Sequence, residues 1–245
     1  MDKIVIVSVV RDMAMYNRCI GRNQLLSGVE KHPIDNSSEN AGIGVCYNRF
    51  ISGYDFACSA WFVFCHEDFE IKEDSAPLLA NLDKNALWGP IGASTKVRFG
   101  VYHQWNLVGQ VEQSDKDGSN LFVHGTATPL GTKVETFDCQ CLIVHSSLIA
   151  RHNLRFDEHL TFDLYVEDFC MAAAKKGVAS RILPIKAQHW SGGNVLSRYA
   201  VQEAYINKKY PDDCFTGTSS WILGGRPPLF RRLTVAVKKI LMKVL

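Results

Sequence analysis

Apolar runs alternate with polar turns from residue 3 to about residue 190. The uninterrupted runs at 3–10 and 60–65 predict strands that are buried on both faces, as in a parallel sheet. Segment 89–134 predicts irregular structure or a small sheet, because turn residues are frequent in it. The alternation as a whole predicts an α/β fold with a mostly parallel, Rossmann-like central sheet flanked by helices. Its strands are predicted at 3–10, before 34–36, at 60–65, 141–144 and 178–185, and its helices through 47–50 and at 75–88, 146–152 and 166–176.

Two of the buried strands end in polar residues. Arg11 follows the first strand, and His66-Glu67-Asp68 follows the strand at 60–65. Because the carboxyl ends of parallel strands meet at one edge of a sheet, we expect these residues around one ligand crevice. A solvated turn is the alternative interpretation of the acidic triplet.

Three residues are candidates for metal binding and proton transfer. Asp68 is the best metal candidate, because Mg2+ and Mn2+ take one or two carboxylate oxygens together with phosphate oxygens. His189 precedes Ser191-Gly192-Gly193 and is predicted on a flexible loop that could close on a phosphate or metal, with a surface histidine as the alternative. Asp168 lies in the first turn of the helix at 166–176, as a general base or as a carboxylate that stabilises the helix dipole.

Size and cysteine content narrow the class of protein. The 245 residues, 47% of them hydrophobic, suffice for one large domain. The eight cysteines are scattered without a Cys-x-x-Cys pair, which predicts reduced, mostly buried thiols. A cytoplasmic location is expected from the apolar pattern. Cys139 and Cys141 are interpreted as strand residues rather than as half of a zinc site. No apolar window reaches the roughly 20 residues that a membrane-spanning helix needs.

The C-terminal segment differs from the rest of the chain in charge. Six of the 27 basic residues follow residue 225, where no acidic residue occurs, so 21 basic and 25 acidic residues remain elsewhere. Apolar residues recur there at intervals of three or four, which predicts a basic amphipathic helix over 226–245. Such a helix suits the anionic inner face of a membrane or a partner enzyme, with docking on the body or a dimer contact as alternatives. Nucleic acid is not expected, because the interleaved residues are aliphatic.

Eight short motifs resemble, in their order, the family 2-like bacterial glycosyltransferases with a GT-A fold. The resemblance covers roughly residues 3–195 and divides the chain into a GT-A domain at 1–222 and the basic segment at 223–245. The motifs are Ile-Val-Ser-Val-Val-Arg, Ile-Asp-Asn-Ser, Tyr-Asn-Arg, Phe-Cys-His-Glu-Asp, Val-Glu-Thr-Phe-Asp, Leu-Arg-Phe-Asp-Glu, Tyr-Val-Glu-Asp-Phe-Cys and His-Trp-Ser-Gly-Gly-Asn.

The resemblance implies a role for each candidate residue. His66-Glu67-Asp68 takes the place of the family's DxD motif, with His66 in place of the first acid, as in a subgroup that carries His-x-Asp. Asp68 then binds Mn2+ or Mg2+, and His189 is a late metal or diphosphate ligand. The nucleotide-sugar contacts implied are Arg11, Asp35, Asn36, Tyr47, Asn48, His66, Glu67 and Asp138. The acid pair Glu167-Asp168 supplies the base, and Asp168 is preferred.

The predicted function is metal-assisted, inverting transfer of a hexose from a UDP-sugar, with galactose as the first candidate. The acceptor expected is a hydroxyl of a glycan or lipid-linked glycan in bacterial surface polysaccharide or lipopolysaccharide synthesis. A catalytically inactive scaffold in a polysaccharide assembly complex is one alternative. A sugar-nucleotide nucleotidyltransferase is another, although the segment after the first strand lacks the glycine-rich loop that such enzymes use.

Overall fold

A seven-stranded sheet forms the centre of the protein. The computed structural model describes residues 2–95, 106–191, 197–220 and 222–225, together with Leu233 and Val237. Five of the seven strands run in one direction, and only β9 and β11 oppose them, so the predicted α/β class and mostly parallel sheet are confirmed. Numbered in chain order, the strands lie across the sheet as β2 (Glu30–Asp35), β1 (Lys3–Val10), β3 (Ala60–Cys65), β11 (Cys141–His145), β5 (Ala86–Gly89), β12 (Ala179–Ile182) and β9 (Lys133–Val134).

Both faces of this sheet are covered, which explains the uninterrupted apolar runs. Val5 and Val7 of β1 contribute to one core cluster, whereas Ile6 contributes to the other. In β3, Phe62 and Trp61 divide in the same way. Since side chains alternate between the two faces of a strand, a strand with helices on both sides must be apolar at every position.

A smaller sheet packs beside the central one and confirms the small-sheet prediction for segment 89–134. Five of its strands follow one another across the sheet, and the sixth, β8, pairs only with β7 among the described residues. Its strands are β10 (Thr136–Phe137), β6 (Ile91–Ala93), β7 (Leu107–Gln113), β13 (Ala187–His189), β4 (Phe69–Ile71) and β8 (Phe122–Thr126), and a separate hairpin pairs β14 (Cys214–Phe215) with β15 (Leu223–Gly224).

Helices pack on both faces of the central sheet. The predicted helix at 75–88 was wrong beyond its first part, because the helix ends at Ala80 and β5 begins at Ala86. Between them is a turn at Asp83, to which the backbone N–H of Asn85 and the indole N–H of Trp88 both donate. The helices are α1 (Met13–Tyr16), α2 (Ile43–Gly53), α3 (Ala76–Ala80), α4 (Ser146–His152), α5 (Tyr165–Ala174) and α6 (Ser197–Lys209), with a π-helical turn at Asn17–Gly21 and a 3-10 turn at Gln24–Leu26.

All eight cysteines are free thiols, as predicted. No helix among the described residues is both long enough and apolar enough to span a bilayer. The amphipathic helix predicted over 226–245 lies outside the described residues, apart from Leu233 and Val237, whose side chains are exposed.

Candidate active site

Strand pairing brings His66, Asp68 and His189 together. β3 ends at Cys65, a tight turn carries His66 and Asp68, and β4 then pairs antiparallel with β13 so that Phe69 lies opposite His189. The backbone N–H of Trp190 donates to the carbonyl of Asp68 at 2.9 Å. His189 is therefore a buried strand residue, 8% exposed, and not the flexible loop residue that the glycines after it suggested.

The three side chains form a compact cluster of metal-ligand atoms. One ligand atom from each of His66, Asp68 and His189 lies within 4.8 Å of the other two. Oδ1 of Asp68 is 3.2 Å from Nε2 of His189, but the two atoms are not aligned for a hydrogen bond. Among the described residues, neither atom has a hydrogen-bond partner. Buried polar atoms without partners are costly, so these atoms fit a site completed by a cation.

Tyr165 fixes the tautomer of His66. Its hydroxyl donates to the carbonyl of Cys139 at 2.7 Å, which uses its only proton. Nε2 of His66 is 3.0 Å from the same hydroxyl oxygen and must therefore be the donor in that contact. The lone pair of His66 is thus left on Nδ1, which lies 4.0 Å from Asp68. A second hydrogen bond that orients a ligating imidazole in this way is typical of metal sites.

The charges of the cluster also fit a divalent cation. Burial lowers the pKa of His66, which keeps its imidazole neutral. Burial alone would raise the pKa of Asp68, but His189 lowers it below its ordinary value, so the carboxylate is ionised. Asp68 in turn raises the pKa of His189, against the effect of burial, and the two form an ion pair whose proton a bound cation would replace. Two imidazoles and one carboxylate form a mixed nitrogen and oxygen set that suits Mn2+ better than Mg2+, which prefers oxygen ligands.

Two cavities meet at this cluster. The first, of about 410 Å3, lies at the carboxyl ends of β1, β2 and β3, and the second, of about 390 Å3, lies between α5 and the smaller sheet. His66, Asp68 and Phe162 line both cavities. The arrangement can hold two ligands at once, one on each side of the cluster.

The first cavity contains four of the predicted nucleotide-sugar contacts. Arg11, Asn36 and Glu67 line it together with His66. One oxygen of Glu67 accepts the backbone N–H groups of Arg11 and Asp12 at 2.6 and 2.8 Å, so Glu67 also holds the loop that follows β1. Asp35 is not among the residues that line this cavity, and its carboxylate bonds to Ser37.

Arg198 of α6 also lines the first cavity, beside His66 and Asp68, and was missed at the sequence level. Its guanidinium lies 4.3 Å from the ring centre of Phe162 and forms an ion pair with Asp163. The sequence gave little indication of this role, because a single arginine at the start of a helix is usually an ordinary surface residue.

Tyr47 and Asn48 do not reach either cavity, which corrects their prediction as donor contacts. The hydroxyl of Tyr47 donates to the carbonyl of Cys65, and its ring lies fully inside the core. The side-chain amide of Asn48 exchanges two hydrogen bonds with the backbone of Phe156. Both residues therefore join α2 to neighbouring elements, and their polar groups are satisfied within the core.

The acid pair on α5 is split between two environments. Glu167 lines the second cavity, and its carboxylate accepts a hydrogen bond from the thiol of Cys139 at 3.1 Å. Burial, with a smaller contribution from Asp138, raises the pKa of Glu167 to about 8. A carboxylate with a pKa near neutrality in a cavity suits proton transfer.

Asp168 points away from the second cavity toward α6. Its Oδ1 is 2.6 Å from Nζ of Lys209 and accepts the hydroxyl proton of Tyr210 at 2.7 Å. The same lysine pairs with Asp157. The preference for Asp168 as base is revised for this reason: Asp168 lines neither cavity, and its Oδ1 is held in an ion pair that joins two helices.

Asp138 was predicted as a nucleotide-sugar contact, and it lines the second cavity rather than the first. Its Oδ2 accepts the hydroxyl proton of Thr218 at 2.6 Å. Burial alone would raise the pKa of Asp138, but Thr218, His124 and His189 lower it, so the carboxylate is ionised. His124 comes from β8, inside the segment that was least interpretable from sequence, and carried no motif.

The backbone is strained where α5 begins. Leu164 is 1% exposed and adopts φ 61°, in the left-handed region that non-glycine residues rarely occupy. Such a conformation costs about 1–2 kcal/mol and persists only when the surrounding packing enforces it. Leu164 lines the second cavity, so the strain lies immediately before the turn that carries Glu167.

Comparisons with known proteins found only distant likenesses. No protein-family model matches the chain, and no curated protein sequence matches it. Among solved structures, GalNAc-T7 with UDP, GalNAc and Mn2+ is similar with a TM-score of 0.49 and 11% identity over 87% of this chain; the match spans only 49% of that protein. The catalytic domain of Drosophila beta1,4-galactosyltransferase 7 with xylobiose gives 0.48 and 10% identity over 82% of this chain and 79% of that one. A mutant of the same Drosophila enzyme with manganese, UDP-Gal and xylobiose gives 0.47 and 12% identity over 82% and 74%. At these values neither activity nor substrate is carried over to this chain.

Proposed function

We propose that the protein is a metal-dependent glycosyltransferase of the GT-A type that transfers a sugar from a nucleoside diphosphate, UDP first, to an acceptor hydroxyl. One observation carries the proposal: the His66, Asp68 and His189 cluster lies where two cavities meet, and a buried carboxylate of raised pKa, Glu167, lines only the second. Transfer of a sugar from a diphosphate to a second substrate needs a cation beside the leaving diphosphate and a base beside the acceptor.

The donor is assigned to the first cavity. Its position at the carboxyl ends of parallel strands is the usual place for a nucleotide in an open α/β sheet. Arg11 and Arg198 supply positive charge there for the diphosphate. Mn2+ held by His66, Asp68 and His189 would neutralise the charge that develops on the leaving diphosphate.

The acceptor is assigned to the second cavity, where Glu167 acts as general base. In the ionised form, an oxygen of Glu167 takes the proton of the acceptor hydroxyl while that hydroxyl oxygen attacks the anomeric carbon. The bond from the anomeric carbon to the diphosphate oxygen breaks, UDP leaves, and the configuration inverts. This assignment replaces Asp168, because the Asp168 carboxylate is paired with Lys209.

Release of UDP from UDP-sugars tests the proposal. The assay uses UDP-galactose, UDP-glucose and their N-acetylamino counterparts with Mn2+ and a panel of oligosaccharide acceptors. We expect acceptor-stimulated release with at least one donor, near-background release in Glu167→Gln, and retained release in the matched control Asp168→Asn. No release with any donor, despite UDP binding, would favour the inactive scaffold. Equal rates in Glu167→Gln and the wild type would exclude Glu167 as base.

A hexose, with galactose first, and a lipid-linked or surface polysaccharide acceptor complete the proposal. The lipid-linked acceptor is supported by the basic amphipathic pattern of 226–245, which suits an anionic membrane surface or a partner enzyme. Removal of 226–245 is expected to abolish sedimentation with vesicles that contain phosphatidylglycerol. Unchanged sedimentation of the truncated protein would contradict the membrane part of the proposal.

A further inference from the structure

The edge strand β8 presents alternate side chains to two different cavities. Phe122 and His124 line the second cavity, whereas Val123 lines a separate cavity of about 410 Å3. Successive side chains of a strand point to opposite faces, so this division follows from the backbone. The ring centroids of Phe122 and His124 are 6.2 Å apart, which makes them one continuous wall.

Neither side chain of this wall has a role in the reaction proposed above. Phe122 is 45% exposed, although it is a large aromatic residue. Nε2 of His124 is buried and has no hydrogen-bond partner among the described residues. A buried nitrogen without a partner is costly unless a ligand supplies the missing bond. The wall therefore offers one apolar surface and one unsatisfied polar atom, side by side.

A sugar ring has the complementary chemistry. One face of a pyranose is formed largely by C–H groups and packs on aromatic rings, while its hydroxyls both donate and accept hydrogen bonds. A hydroxyl can therefore satisfy Nε2 of His124 in either tautomer. A cavity of a few hundred Å3 with an apolar wall and a few polar groups is typical of small-molecule sites.

We infer that β8 forms the acceptor subsite, in which a pyranose ring packs on Phe122 and donates to or accepts from His124 through a hydroxyl. The inference rests on the proposed function, because the acceptor must occupy the second cavity to reach Glu167. It narrows the acceptor to a glycoside and makes the two residues specificity determinants. Asp138, held by Thr218, borders the same cavity and offers a further hydroxyl contact.

Saturation-transfer NMR with defined methyl pyranosides tests this subsite. The protein is loaded with UDP and Mn2+ and titrated with the methyl β-pyranosides of galactose, glucose, mannose and xylose. We expect binding of at least one, with Kd raised about tenfold in Phe122→Ala and in His124→Ala, the loss of one contact each. Val123→Ala, on the opposite face of the same strand, is the matched control and should bind like the wild type.

Each other outcome has a definite meaning. Absence of pyranoside binding in the wild type, unchanged Kd in both variants, or an equal loss in Val123→Ala would overturn the inference. UDP affinity is measured by calorimetry on the same samples. UDP binding that persists while the pyranoside results fail overturns only the acceptor subsite, whereas a wild type that binds no UDP contradicts the proposed function itself.

Discussion

Replacement of Tyr165 by phenylalanine is expected to weaken metal binding, although it removes none of the three proposed ligands. The hydroxyl of Tyr165 links the Nε2 proton of His66 to the carbonyl of Cys139. Without this hydroxyl, the proton of His66 can lie on either ring nitrogen, so the lone pair on Nδ1 is no longer always available to a metal ion. Loss of such an outer contact lowers metal affinity by about 10–100-fold in comparable sites.

The stability cost of the same change can be estimated from its contacts. Tyr165 is fully buried, and loss of its hydroxyl deprives two partly buried partners of a hydrogen bond. The free energy of unfolding should fall by about 1–3 kcal/mol, and Tm by about 2–4 °C for each kcal/mol in a chain of this size.

Tyr47→Phe is the matched control for this prediction. Tyr47 is equally buried, and its hydroxyl also donates to a backbone carbonyl, that of Cys65. Among the described residues its hydroxyl bonds to Cys65 and not to His66, so Tyr47→Phe should lower stability and leave the Mn2+ affinity unchanged. Free Mn2+ is measured by electron paramagnetic resonance in the presence of UDP. Equal effects of the two variants on Mn2+ affinity, or none in Tyr165→Phe, would refute the role assigned to Tyr165.

Three further predictions concern charge. The rate kcat/KM should rise with pH up to about 8 and then level off, because the pKa of Glu167 is raised to about 8 and only its ionised form accepts a proton; a pH-independent rate between 6 and 8 would contradict this. The raised pKa of Glu167 also means that the folded state binds this proton more tightly than the unfolded state, so ionisation of Glu167 lowers stability as pH rises from about 4.5 to 8. Glu167→Gln should remove that part of the decrease in Tm with pH. An unchanged dependence of Tm on pH in this variant would contradict the raised pKa. Arg198→Ala should raise the Kd of UDP about tenfold, the equivalent of one charge-assisted hydrogen bond, and leave that of uridine unchanged; calorimetry with both ligands distinguishes a diphosphate contact from a general loss of the cavity.

The sequence was sufficient to locate the cluster of His66, Asp68 and His189 in part. The apolar run of β3 is buried on both faces, so the end of the run located His66 and Asp68 at the sheet edge. His189 was identified as a candidate, but its strand was not. β13 has only three residues, and its pairing with β4 joins segments more than 100 residues apart, which no local pattern encodes.

The choice between Glu167 and Asp168 could not be made from sequence. Successive residues of a helix point about 100° apart, so only one of the two can face the cavity. Which one does so depends on the pairing of Asp168 with Lys209 of α6, 41 positions away in the sequence. The helix itself was predictable from its apolar periodicity, but the identity of its neighbours was not.

Two polar residues of the core were predicted as ligand contacts, although neither lines either of the two cavities. Tyr47 and Asn48 were predicted as ligand contacts because they lie in the Tyr-Asn-Arg motif of the family resemblance. Both satisfy those groups against the backbone of distant segments, at Cys65 and Phe156. Conversely, His124 was overlooked because it lies on β8, a short strand that carries no motif and pairs with β7 of the smaller sheet.

Calorimetry of UDP binding with Mn2+ and with EDTA, on the wild type and on Asp68→Asn, tests the central claim most directly. The asparagine keeps the shape of the side chain and removes the charge that a cation requires, and circular dichroism verifies that the variant is folded. We predict that the wild type binds UDP with Mn2+ and loses most of that affinity in EDTA, and that Asp68→Asn binds weakly in both. Equal UDP affinity in all four measurements, or no binding by the wild type, would contradict a metal-dependent nucleotide-sugar site at His66, Asp68 and His189.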